Sequence, residues 1–254
     1  MKGIHNDWEE TATVRLALLN YTKPALVDHE FTDLPWHLPS AAPHQLYLTP
    51  NGELSEMKPS ENNTLSYQAN TAAELTFSYK FPAKTAVVGP STLVIDVASP
   101  DHDDIDIYTH IFKADADGNI LSHLNIPLPE GLPEAGAKQL TQNRVFRYWG
   151  PNGMLRASQR HVAPELSGKT WNTLSHSRVE KVRPGEKVRL DIQLWPTGIV
   201  FEAGEKLILK VGGEELGVPA MPHLGGLKNS NKGRHVIYVG DESESHLRLF
   251  TVDV

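Results

Sequence analysis

EKVRLDIQLWPTGIVFEAGEKLILKV, residues 186–211, is the stretch whose reading decides the fold. Val188, Leu190, Ile192 and Leu194 alternate with Arg189, Asp191 and Gln193. A period of two puts one face of an extended segment in a core and the other in water. Trp195-Pro196-Thr197-Gly198 is expected to break the run, because proline cannot donate to a β-ladder and glycine permits a positive φ. Leu207, Leu209 and Val211 resume the alternation behind the charged turn Ala203-Gly204-Glu205-Lys206. The stretch predicts two β-strands joined by a tight connection, a hairpin or crossover of a β-sandwich. It carries no chemistry of its own.

The same reading extends outward. Strands are expected at Thr13–Leu18, Gln45–Thr49, Leu75–Tyr79, Thr92–Ala98, Ile105–Phe112, His235–Val239 and His246–Val252. Thr92–Ala98 is nearly all apolar and reads as a central strand. Val87-Val88-Gly89-Pro90 reads as the turn leading into it, Ser60–Asn70 as polar loop, and Asn172–Glu180 as loop followed by strand. Asp115-Ala116-Asp117-Gly118-Asn119 is a hairpin turn by its Asp-Gly step. Phe31–Pro43 is proline-rich, expected to be an ordered loop that buries Trp36. Only Leu132–Leu140 offers a helical period. About ten to twelve short strands with frequent turns make an all-β sandwich or jelly roll, read as one domain.

Composition narrows the function. A net charge of −7 and the lack of any basic run argue against a nucleic-acid partner. No apolar run reaches the roughly 20 residues of a membrane span, and MKGIHNDWEE lacks the apolar centre of a signal peptide. Without cysteine there are no disulfides, thiolate nucleophiles or cysteine-ligated zinc. Absent cysteine suits a cytoplasmic protein and also many exported bacterial ones, so the compartment stays open, with the cytoplasm favoured.

The candidate chemistry is thin. No Gly-x-Ser-x-Gly nucleophile elbow occurs. Ser175-His176-Ser177 and Ser243-Glu244-Ser245-His246 place serine beside histidine, but a triad is assembled in space, and neighbours in sequence are no evidence for one. Asp101, Asp103, Asp104 and Asp106 could offer oxygens to a calcium ion, yet the glycine and distal glutamate of a calcium loop are missing. A solvated loop, with Arg156 or Arg160 pairing the carboxylates, is the simpler reading. Twelve histidines show no HxH or HxxxH pair on a clear element, so no metal site is assigned. The five tryptophans, Trp8, Trp36, Trp149, Trp171 and Trp195, could line a carbohydrate platform, but they are scattered and buried sandwich tryptophans are commoner. No catalytic, cofactor-binding or metal residue is assigned.

The residues of the opening stretch say more than their pattern. Leu190–Gly198 followed by Phe201–Leu207 resembles the "DI-x-WPTG…F-x-AGH-x-L" line of the C-terminal domain of X-prolyl dipeptidyl peptidases and CocE/NonD-type acyl hydrolases. Four further segments agree in order. Gly3–Val14 resembles the connector from the catalytic domain. Leu34-Pro35-Trp36, Leu46-Tyr47-Leu48 and Asn51–Ser55 resemble "WP…LYL…GGLS". Gly153–Arg160 resembles "G-x-LRASHR", and Lys232–His235 with Ser245-His246-Leu247 resembles the closing "G-x-H…G…SHL". Gln159 and Glu205 stand where the family often has His. Neither position is catalytic in the family, and both departures are read as minor.

The resemblance implies a jelly-roll, galactose-binding-like β-sandwich over residues 1–254, with residues 1–10 as remnant of the connector. In such enzymes the triad lies in an α/β-hydrolase domain before this region, so no nucleophile, acid or base carries over. The implied role is a non-catalytic domain that packs on the catalytic domain, helps wall its substrate cleft and contributes to homo-oligomer contacts. The chain would be a cut piece, a truncated reading frame or a free-standing relative, with Trp8, Trp36 and Trp149 on the docking surface. The competing expectation is an independent carbohydrate-binding or scaffolding module.

Overall fold

The computed structural model of the chain describes residues 7–12, 14–31, 43–126, 128, 130–142, 144–217 and 229–254, and of residues 7, 27–31, 141 and 144 the backbone alone. In chain order the first strands are β1 (Val14–Leu18), β2 (Leu26–Phe31), β3 (His44–Leu48), β4 (Leu54–Ser55), β5 (Asn63–Gln68), β6 (Glu74–Lys80), β7 (Thr85–Ala98) and β8 (Asp106–Ala114). There follow β9 (His123–Leu124), helix α1 (Glu134–Gln142), β10 (Arg147–Tyr148), β11 (Asn152–Arg156), β12 (Val188–Phe201), β13 (Lys206–Gly212), β14 (Arg234–Val239), β15 (His246–Leu249) and β16 (Thr251–Asp253).

β7 is the spine of an eight-stranded antiparallel sheet. One of its edges is taken by β12, from Phe201 opposite Thr85 to Val188 opposite Val97. The other edge is shared by three strands in succession: β16 at Val87, β15 at Leu93 and β14 at Val97. β3 and β4 extend the sheet beyond β15, and β5 extends it beyond β14. The second sheet has four strands in the order β11-β8-β13-β6, also antiparallel.

The inner faces of the two sheets share one core. Ile95, Leu190, Ile192, Ile237 and Leu247 come from one side, and Phe77, Ile107, Ile111, Leu207 and Leu209 from the other, all buried. Burial of each such side chain contributes about 1.5–3 kcal/mol. The opposite face of the spine carries a smaller cluster, in which Leu18 of β1 packs with Ala86, Val88, Val200 and Phe250. The chain is a β-sandwich, as its alternating pattern predicts.

The quoted stretch is a crossover. β12 lies in the eight-stranded sheet and β13 in the four-stranded one. Trp195-Pro196-Thr197-Gly198 does not end the strand, contrary to the sequence reading. The register jumps from Leu194 opposite Ser91 to Thr197 opposite Gly89, so Trp195 and Pro196 together face Pro90. Two residues against one is a β-bulge. The two prolines lie across from each other where the ladder is interrupted anyway, so neither costs a donor that the sheet would use. Val87–Pro90 is for the same reason strand and not turn, with Gly89 taking a φ of 79°.

Two other readings change. Asn63–Gln68 is an edge strand in what reads as polar loop, because only Tyr67 of it is buried. Asn172–Glu180 contains no strand beyond one isolated bridge, from Leu174 to Val162. The Asp115–Asn119 turn forms as expected, with the Asp115 carboxylate accepting the Asn119 N–H at 2.8 Å. The expected loop around Trp36 lies outside the described residues.

Candidate functional site

The serine and histidine pairs do structural work. Ser243 and Ser245 both donate their hydroxyls to the Tyr238 carbonyl, at 2.6 and 2.7 Å, and Ser245 Oγ accepts the Asp96 N–H. His246 Nδ1 sits 2.6 Å from the Glu244 carbonyl. Ser175 and Ser177 bond to each other, and His176 faces Gln159. No serine of the two groups is bonded to a histidine ring.

The acidic run is paired, with Arg156 as expected. Asp106 is buried at the start of β8 and accepts Arg156 Nε at 2.6 Å and Nη2 at 2.9 Å, a bidentate fork. It also accepts the Ser230 N–H and hydroxyl. Burial works to raise its pKa, but these donors hold it below the usual carboxylate range. Asp104 takes the Ile105 and Ser158 N–H groups and Lys181 Nζ. Asp101 takes the Arg234 N–H, and Asp103 pairs with Lys181. Arg160 turns instead to the Ala157 and Glu180 carbonyls. Among the described residues no group of three or more His, Asp or Glu side chains is arranged to hold a metal.

What remains is the bulge. It pushes Trp195 out of the sheet until 71% of the residue is exposed. Beside it is a hollow of about 220 Å³ lined by Tyr148, Trp149, Pro151, Asn152 and Trp195, with buried His110 behind. The segment Trp149-Gly150-Pro151 is fixed there by its backbone. Gly150 has a φ of 137°, and a Cβ on it would lie 1.9 Å from the Ile111 carbonyl oxygen. Only glycine lets the chain pass so close. The Tyr148 hydroxyl lies 2.9 Å from the Thr197 hydroxyl, tying the hollow to the bulge. Burial pushes His110 down to about 4, so a neutral imidazole backs the hollow.

Of the three tryptophans expected on a docking surface, Trp8 is exposed, Trp149 is partly buried in the hollow wall and Trp36 lies outside the described residues. Trp195, not among those three, is also exposed. Its signal was the Trp-Pro pair inside an alternating strand, read as a turn and not as a bulge.

The two antiparallel sheets packed on one core define the chain's class as a β-sandwich domain. A family profile described as the X-Pro dipeptidyl-peptidase C-terminal non-catalytic domain matches residues 6–248, and the chain belongs to that family. Among solved structures it is similar to a CocE/NonD family hydrolase from Staphylococcus aureus, at 27% identity and a TM-score of 0.81. That match covers 99% of this chain and 43% of the hydrolase, so the chain spans less than half of its relative's length. An aminopeptidase from a marine sediment thaumarchaeon shares the fold at 12% identity and a TM-score of 0.56, covering 89% of this chain and 39% of that one. An α-amino acid ester hydrolase shares it at 11% identity and a TM-score of 0.55, covering 88% of this chain and 39% of that one. No curated protein matches the sequence.

Proposed function

We propose that residues 1–254 form one accessory domain of a serine hydrolase of the dipeptidyl-peptidase or acyl-esterase type. It packs on an α/β-hydrolase catalytic domain, helps to shape the substrate cleft and receives its connector through residues 1–10. The observation that carries this reading is the exposed Trp195 beside an aromatic hollow, on a chain matching 43% of a larger hydrolase. A large apolar side chain held out by a bulge favours a partner surface over solvent.

The test has two arms. The purified chain is titrated with the separately produced catalytic portion of its hydrolase, and Trp195→Ser is compared with it. Saturable binding that weakens at least about tenfold in the variant supports docking through this face, since buried aromatic anchors dominate such interfaces. Equal binding by both overturns it, and so does saturable glycan binding lost in the same variant. In the second arm the chain alone is assayed on an activated ester and an X-Pro p-nitroanilide. Turnover that survives repurification and responds to a serine-directed inhibitor overturns the accessory role.

A further inference from the structure

Lys113, near the end of β8, is completely buried, with 0% of its surface exposed. Its Nζ lies 2.7 Å from Glu205 Oε2. It donates to the Asn20 and Val200 carbonyls, each also at 2.7 Å. An ammonium has three donors, and all three are engaged. Phe201 and Tyr21 present their rings at 5.7 and 5.9 Å. Burial lowers the Lys113 pKa, and the Glu205 carboxylate opposes it.

The three acceptors come from three places: the turn before β13, the end of β12 and the segment running in from β1. Before Asn20 the segment is anchored by Leu18 in the smaller cluster, and after it by the Tyr21 ring against the main core. Leu19 makes a single parallel bridge with Ile199, through its N–H to the Gly198 carbonyl and its carbonyl from the Val200 N–H. Two residues later Tyr21 takes a φ of 76°. A bulky residue is strained in that region and stays there only where its surroundings fix it. Asn20 Nδ2 and Lys23 Nζ both donate to Glu202 Oε1, and the Glu202 N–H donates to Glu205 Oε2.

We propose that Lys113, Glu205 and Glu202 form a clamp that fixes the direction in which residues 14–23 join the sandwich, by holding the left-handed turn at Tyr21 in one conformation. The clamp ties this segment to both sheets at once. It is independent of what docks on Trp195.

Hydrogen exchange on the full chain tests this, with Lys113→Met as the variant. The Leu19 and Val200 amides are expected to exchange at least about tenfold faster, with the β7–β12 ladder near Ile95 within about twofold of its original rate, as for a local opening. Chymotrypsin should also cut faster after Tyr21. Unchanged protection at Leu19 and Val200 overturns the clamp, and so does an equal rise in the ladder. If Lys113→Met does not fold, Glu205→Gln is read in the same way, because it keeps an acceptor and removes only the charge. If neither folds, Lys113 is a general requirement of the core and the proposal fails.

Discussion

Gly153 of β11 lies against Gln193 of β12 so closely that a Cβ on it would sit 2.2 Å from the Gln193 carbonyl oxygen. The two residues belong to different sheets, and this is where the backbones of those sheets meet next to the Trp195 bulge. Gly153 has no left-handed φ, so its requirement is space alone. Gly153→Ala is expected to cost about 1–3 kcal/mol, the usual penalty for overpacking. Urea unfolding measures it, and a loss under about 0.5 kcal/mol, typical of a surface change, would show that the sheets can part freely here.

Arg156 is the partner that makes Asp106 tolerable inside the sandwich. Arg156→Met leaves a buried carboxylate with only the Ser230 donors at its side chain. The expected loss is about 2 kcal/mol, below the 3–5 kcal/mol for a fully buried pair because Arg156 is partly in solvent. Adding Asp106→Asn should return part of that loss. A double variant no more stable than Arg156→Met would mean that the charge of Asp106 is not what Arg156 answers.

Stability should fall on mild acidification. Burial pushes His110 and His235 from 6.5 down to about 4, with Lys210 also lowering the first and Asp106 opposing the shift of the second. Below pH 6.5 the unfolded chain takes up protons that the folded chain refuses. This contribution is complete above that pH and is lost as the pH falls toward 4. Each histidine contributes at most on the order of 3 kcal/mol. Melting temperature measured from pH 7 to pH 4.5 should drop, and His110→Phe, which keeps a flat ring against Phe112, should flatten the profile. A slope identical in the variant would remove His110 from the account.

Trp195→Ser should leave the isolated domain within about 0.5 kcal/mol of its original stability, because the residue is mostly in solvent. Equilibrium unfolding checks this beside the binding comparison. A large loss would make Trp195 a packing residue and take away its availability to a partner.

The alternation of Val188–Leu194 and Leu207–Val211 was enough to read a sandwich, since side chains that alternate must face alternate ways. The Trp195–Pro196 bulge was not legible. A proline in a strand signals a break by local rules, and only the facing Pro90, over a hundred residues away, turns the break into a bulge. The pairing of the acidic run was legible as a demand for cations, and Arg156 meets it. Glu205 reads as a departure that leaves the family reading unchanged, and it does; that its carboxylate neutralises Lys113 is not legible, because sequence alone gives no reason to bury that lysine. Asn63–Gln68 looked like loop because an edge strand buries so little of itself.

The spine strand β7 completes one of its edges with residues that appear in three separate strands between Arg234 and Asp253. During synthesis, the β7–β12 pair can form as soon as Phe201 has left the ribosome, but it then waits with a bare edge. Unpaired strand edges recruit other chains. The risk of aggregation is therefore concentrated in the interval between the emergence of Phe201 and that of Asp253, when β14, β15 and β16 take their places.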